Sequence, residues 1–188
     1  DEEKMAVIIQ EVVGADRNGR YYPDFAGVAR SYNYYPVGHA KPGDGVVNVA
    51  LGLGKSVVDG GVSLRFTPAY PEILPQFGAA DDMLDNSQKA FYAVDMRPHA
   101  NTAYADEDQY LLKLGIEEAE KDGVLERLAS TYSFENQQLM DGIGQPGPRI
   151  VSFAHILKYK MFPLAELLDH LLKLSSQAMS CPVEMEFA

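Results

Sequence analysis

Apolar and polar positions form short strand-like runs at both ends of the chain, with a less regular middle. Met5-Ala6-Val7-Ile8-Ile9-Gln10-Glu11-Val12-Val13 is a β-branched run stopped by Gly14 and the polar Asp16-Arg17-Asn18-Gly19, which predicts a buried strand and a turn. Residues 21–32 predict a second, aromatic-rich strand region. Asp44-Gly45-Val46-Val47-Asn48-Val49-Ala50-Leu51 predicts a third, and the alternating Val62-Ser63-Leu64-Arg65-Phe66-Thr67 a fourth, after the turn signal Asp59-Gly60-Gly61. Pro68, Pro71 and Pro75 then break the pattern.

In the middle, Asp85-Asn86-Ser87 opens a helix through Phe91, while Val94-Asp95-Met96 reads equally well as a strand. Asp106-Glu107-Asp108 suits a helix start, where negative charge complements the dipole. Leu111, Leu112, Leu114, Ile116 and Ala119 follow in a mixed pattern, with a shorter helix at 124–129. The acid clusters of this region read as solvated helix faces. Asp141-Gly142-Ile143-Gly144-Gln145-Pro146-Gly147-Pro148 is a loop, and residues 149–153 a strand that 154–159 either prolong or follow with a short helix. Pro163 suits the first turn of a helix over 164–179, where six leucines form a broad apolar stripe. In the last eight residues Val183, Met185 and Phe187 alternate with Glu184 and Glu186, the period of a half-buried strand. Both carboxylates then project from one face, with Cα atoms roughly 6.6 Å apart. Side by side, like charges repel, so the pair is either a solvent-facing edge or a place for one or two Mg²⁺ ions.

Composition narrows the class. The 188 residues are 46% hydrophobic and 23% charged, which is globular and enough for one substantial core. No apolar run approaches the roughly 18 residues of a membrane span, and no basic, apolar leader opens the chain. The lone Cys181 excludes an internal disulfide framework and fits a reducing cytosol, so the expected location is cytoplasmic and the thiol is read as packed. A net charge of −11 argues against nucleic-acid binding. It also requires that any bound polyphosphate bring metal ions or meet positive charge from another segment. His39, His99, His155 and His170 are scattered without metal-ligand spacing. Gly54-Lys55-Ser56 ends like a P-loop, but Val49 stands where the Walker pattern needs glycine. Val57 likewise breaks the dinucleotide fingerprint after Gly52 and Gly54.

Pro182-Val183-Glu184-Met185-Glu186-Phe187-Ala188 resembles the P-Q-D-I-E-W-A strand of the phosphoenolpyruvate synthase and pyruvate phosphate dikinase family. The 5–13 run is similar to the family's M-A-V-V-V-Q-x-M-V strand. Gly27-Val28 match its S-G-V-x-F-T strand, and Asn48, Gly52-Leu53-Gly54, Val57-Val58 and Gly60 match N-A-S-W-G-L-G-E-x-V-V-S-G. Arg30 and Lys55 depart from it, standing where phenylalanine and glutamate are usual. The likeness covers about the first 65 and last 30 residues.

The resemblance implies an α+β, ATP-grasp-like subdomain of mostly antiparallel sheet covered by helices. Residues 1–67 and 150–188 would supply the sheet core and 81–148 a mainly helical insertion, all within one domain fragment. Implied ligands are ATP and Mg²⁺. Gln10, Glu11 and Val12 would line the adenine edge, Gly52, Gly54 and Lys55 would cover the nucleotide, and Glu184 and Glu186 would hold the metal. Lys55 keeps two readings, a phosphate contact or a solvated loop-end lysine, and Arg30 either faces phosphate or, as preferred here, pairs with Asp24. The parent would be a phosphotransferase passing phosphate from ATP to a histidine on a downstream domain, then to pyruvate or a similar acceptor. Residues 1–188 look like a piece of that enzyme, holding no catalytic residue and inactive without the other halves of the chain. The alternative is a nucleotide-binding or regulatory module that kept the fold without catalysis. Neither nucleic acid nor membrane is an expected partner.

Overall fold

A computed structural model describes residues 5–78, 80–97 and 109–188. His99 and the acidic helix start at 106–108 lie outside the described residues. Three antiparallel sheets and a few helices make a mixed α+β fold, as expected. The first sheet has the order β11-β3-β4-β5, from Glu184–Phe187, Phe25–Arg30, Val46–Leu51 and Leu64–Phe66. The second is β1-β2-β6-β7, from Ala15–Asp16, Arg20–Tyr22, Ala90–Asp95 and Leu111–Gly115. The third is β10-β8-β9, from Arg149–Val151, Ala129–Ser133 and Gln138–Asp141. Helices α1 to α6 span Lys55–Val58, Ala80–Asn86, Ile116–Lys121, Leu125–Leu128, Ala154–Leu157 and Leu164–Met179. Among the described residues no helix is long and apolar enough to cross a membrane.

Pleating gives the first sheet two unlike faces. Ala29, Val47, Val49, Leu51, Leu64 and Phe66 point into the core with Met185 and Phe187 packed beside them. From α6, Leu164, Ala165, Leu168 and Leu172 join this core, an i, i+1, i+4, i+8 stripe. The stripe is narrower than the six leucines suggest, because Leu167, Leu171 and Leu174 are exposed. The helix stops where Ser180 turns left-handed at φ 55°. On the opposite face lie Ala26, Val28 and Arg30 of β3, Asn48 of β4 and both glutamates of β11, by the register of the pairs.

Polar side chains join the sheets. Buried Gln88 accepts from Leu51 N–H at 2.8 Å and donates to Leu51 C=O at 3.0 Å, so the end of β4 is satisfied by a side chain from the segment before β6. Gly52 follows at φ 82°, where a Cβ would meet Phe91 and the Tyr92 carbonyl at 2.8 Å. Only glycine permits that approach. The Tyr22 hydroxyl donates to Asp122 at 2.5 Å, and Arg20 spans Glu118 and Asp122. Burial first, then the hydrogen bond to Asp122, pushes the Tyr22 phenol well above its ordinary value.

Several expectations need correction. Residues 5–13 form no strand and are exposed: Ile9 is 92% accessible. β-branched composition favours a strand only where a neighbouring strand can take its backbone groups, and among the described residues no strand pairs with this run. Among the described residues of 81–148, strand and helix occur in similar measure rather than mainly helix. The helix expected to open at Asp85 instead ends at Asn86, and the Leu111-to-Ala119 pattern splits into β7 and α3. The short apolar alternations of β6 and β7 are stabilised by pairing with each other. Residues 154–157 are helical. Cys181 is an exposed free thiol, not a packed one, because it lies in the connection between α6 and β11.

Two stability outcomes follow. Leu168→Ala should cost about 2–5 kcal/mol in urea unfolding, whereas Leu167→Ala on the exposed side should stay within about 0.5 kcal/mol; equal losses would contradict this helix orientation. With its phenol raised, Tyr22 supports folding fully below the unfolded-state value of about 10 and loses that support as pH climbs towards the folded value. The advantage of wild type over Tyr22→Phe should therefore shrink as pH rises above about 10; a constant gap would count against it.

Candidate functional site

The face of the first sheet that carries the two glutamates borders a groove of about 520 Å³, within the roughly 300–1,000 Å³ usual for small-ligand sites. Four stretches far apart in sequence wall it. Gln10, Glu11, Val12 and Val13 come from the segment before β1, and Ala26 and Gly27 from β3. Leu53, Gly54 and Val58 come from the loop and α1, and Glu186 and Phe187 from β11. The Tyr21 hydroxyl donates to the Val12 carbonyl at 2.9 Å, which ties the first stretch to β2.

Antiparallel pairing of β11 on β3 sets the acidic side. Glu184 lies opposite Arg30, Glu186 opposite Val28, and Phe187 opposite Gly27. A Cβ on Gly27 would stand 2.5 Å from the Phe187 ring, so this glycine lets the ring lie across the strand. Glu184 and Glu186 are exposed while Met185 and Phe187 turn inward, so the two carboxylates share a face. Their surroundings differ. Arg30 Nε donates to Glu184 at 2.5 Å, with side chains 41% and 53% exposed. Glu186 has no ion pair among the described residues and borders the groove. Arg30 is thus paired with Glu184, not Asp24, whose carboxylate is taken by Arg17 and Arg127 at 2.5 and 2.7 Å.

Of the residues singled out from sequence, Gln10, Glu11, Val12, Gly54 and Glu186 meet at the groove. Gly52 faces β6 instead, as its close approach to Phe91 and Tyr92 requires. Lys55 begins α1, paired with Asp59 at 3.0 Å and 5.9 Å above the Tyr92 ring, and is not among the lining residues. Glu184 lines a neighbouring hollow of about 150 Å³ with Arg30, Tyr32 and Tyr34. Sequence reasoning passed over Ala26, Leu53, Val58 and Phe187 as walls. Phe187 carried a signal in its alternation with the acids, and Leu53 and Val58 in the resemblance over residues 48–60; Ala26 carried none. A separate hollow of about 270 Å³ beside Phe25, His155 and Phe162 is largely apolar.

The groove's charge constrains what it can hold. Glu11 and Glu186 line it, and no lysine or arginine is among the described lining residues. Among the described residues there is also no cluster of three or more metal-ligating side chains. Mg²⁺ characteristically takes one or two carboxylates and completes its shell with water and phosphate oxygens. Glu186, with Glu184 one pleat away, fits that donor set.

The family described as pyruvate phosphate dikinase, AMP/ATP-binding domain, matches residues 1–188. No curated protein and no solved structure matches.

Proposed function

The chain belongs to the pyruvate phosphate dikinase AMP/ATP-binding domain family, and from that premise we propose that the groove on the first sheet holds Mg²⁺–ATP for phosphoryl transfer to a histidine carried elsewhere in the protein. The observation that carries this reading is the meeting of residues 10–13, Gly54 and Glu186 in one groove of nucleotide size whose described lining is acidic. A tetra-anionic tail enters such a groove only with counter-charge, and a divalent cation between carboxylate and phosphate supplies it.

Residues 10–13 take the adenine edge, chiefly through backbone groups. Gly54, without a side chain, lets the phosphates pass close to the loop before α1. Glu186, with Glu184, would hold Mg²⁺, which would supply positive charge to offset that developing on the phosphates during transfer. In that transfer a phosphorus–oxygen bond of ATP breaks and a phosphorus–nitrogen bond to the histidine forms; the histidine then passes the group to pyruvate or a related acceptor. The protein's part is positioning and charge neutralisation, and none of the four histidines here is assigned as the carrier. Residues 1–188 alone are proposed to be inactive, because none of their histidines is assigned as the carrier and the described lining of the groove holds no lysine or arginine. A cytoplasmic location suits this chemistry.

The Arg30–Glu184 pair favours a second reading, a nucleotide-binding or regulatory module without catalysis. Intact protein that binds ATP but never labels a histidine would select it.

Calorimetric titration of the intact protein with ATP, with and without Mg²⁺, tests the groove. Wild type should bind more tightly with Mg²⁺. Glu186→Gln should reduce that Mg²⁺-dependent gain about tenfold, equivalent to about 1.4 kcal/mol, with an unchanged melting temperature. An undiminished Mg²⁺ gain in Glu186→Gln would reject the metal role.

A further inference from the structure

We propose that Arg30 is a charge-exchange residue: in the nucleotide-free protein its guanidinium holds Glu184, and an arriving polyphosphate draws it away, releasing Glu184 to join Glu186 around the divalent cation. The inference rests on the reading of the groove as a Mg²⁺–ATP site.

Three observations carry it. Strand register sets Arg30 directly across from Glu184 and on the same face as Glu186, with the guanidinium on the carboxylate at 2.5 Å. A carboxylate so engaged is a poor metal ligand, since the same oxygens are already neutralised. Both partners are well over a third exposed, and exposed pairs of this kind are weak and easily exchanged. The pair also has open space beside it: with Tyr32 and Tyr34, Arg30 and Glu184 line a hollow of about 150 Å³.

The other cations near this face are engaged differently. Arg65 donates to Asn33 at 2.9 Å and to the Tyr35 carbonyl at 3.2 Å, and Lys55 is paired with Asp59. Arg30 is bound to an acid that the bound ligand itself would need. A polyphosphate offers the guanidinium a stronger, bidentate partner, and the freed carboxylate offers the cation a second ligand. Each ligand thereby improves the site for the other, which is coupling in the thermodynamic sense.

The test measures Mn²⁺ binding by electron paramagnetic resonance and ATP binding by calorimetry on the intact wild type, Arg30→Met and Arg30→Lys. Without nucleotide, Arg30→Met should bind Mn²⁺ about fivefold more tightly, the scale of a lost exposed ion pair. The factor by which ATP improves Mn²⁺ affinity should shrink by a similar amount, and Arg30→Lys should restore most of it. Wild-type nucleotide binding with Arg30→Met indistinguishable in both measurements would overturn the exchange and leave the groove standing. Weaker Mn²⁺ binding by Arg30→Met without nucleotide would overturn it too. Absence of nucleotide binding in the wild type would overturn the groove reading, and this inference with it.

Discussion

The antiparallel seam between β3 and β11 is the constraint on which the candidate site depends. It joins residues 27–30 to 184–187, more than 150 positions apart, and its register decides what each side chain meets. With Phe187 opposite Gly27, the ring crosses a position without a side chain and the apolar half of β11 reaches the core. The same alternation turns Glu184 and Glu186 outward. A slip of one residue would bury both carboxylates and expose Met185 and Phe187. The leucines that α6 buries against the opposite face hold the sheet that carries this seam.

Charge explains the character of the groove. The chain carries −11 overall, and the described lining adds carboxylates without lysine or arginine. Such a cleft repels a bare polyphosphate and accepts one that arrives with a divalent cation, so metal and nucleotide binding are tied together by electrostatics. The cations around it are committed to the fold. Arg17 and Arg127 take Asp24, Arg20 takes Glu118 and Asp122, and Arg65 ties down the chain at Asn33. Arg30 differs because its acidic partner belongs to the proposed site.

Much of this was legible in the sequence where the signal was local. The strand over Glu184–Phe187 follows from strict alternation, and the span of α6 from its leucines and from Pro163 at its start. What was not legible depended on partners. The 5–13 run has the composition of a buried strand, yet burial needs a neighbouring strand that no local pattern reveals. Which leucines of α6 face inward is set by the angle at which it meets the sheet, so Leu168 is buried and Leu167 is not. Arg30 pairs with an acid 154 positions away rather than one six positions away, because strand register brings Glu184 directly across from it. Gly52 and Gly54 look alike in sequence, yet one accommodates Phe91 and the other borders the groove.

A crystal structure of the intact protein with Mn²⁺ and a non-hydrolysable ATP analogue, phased to show the anomalous signal of the metal, tests the central claim most directly. The account predicts the adenine beside residues 10–13 and a manganese peak coordinated by a Glu186 carboxylate oxygen. Nucleotide seated in the apolar hollow beside Phe25 and Phe162, or a manganese site away from β11, would contradict it.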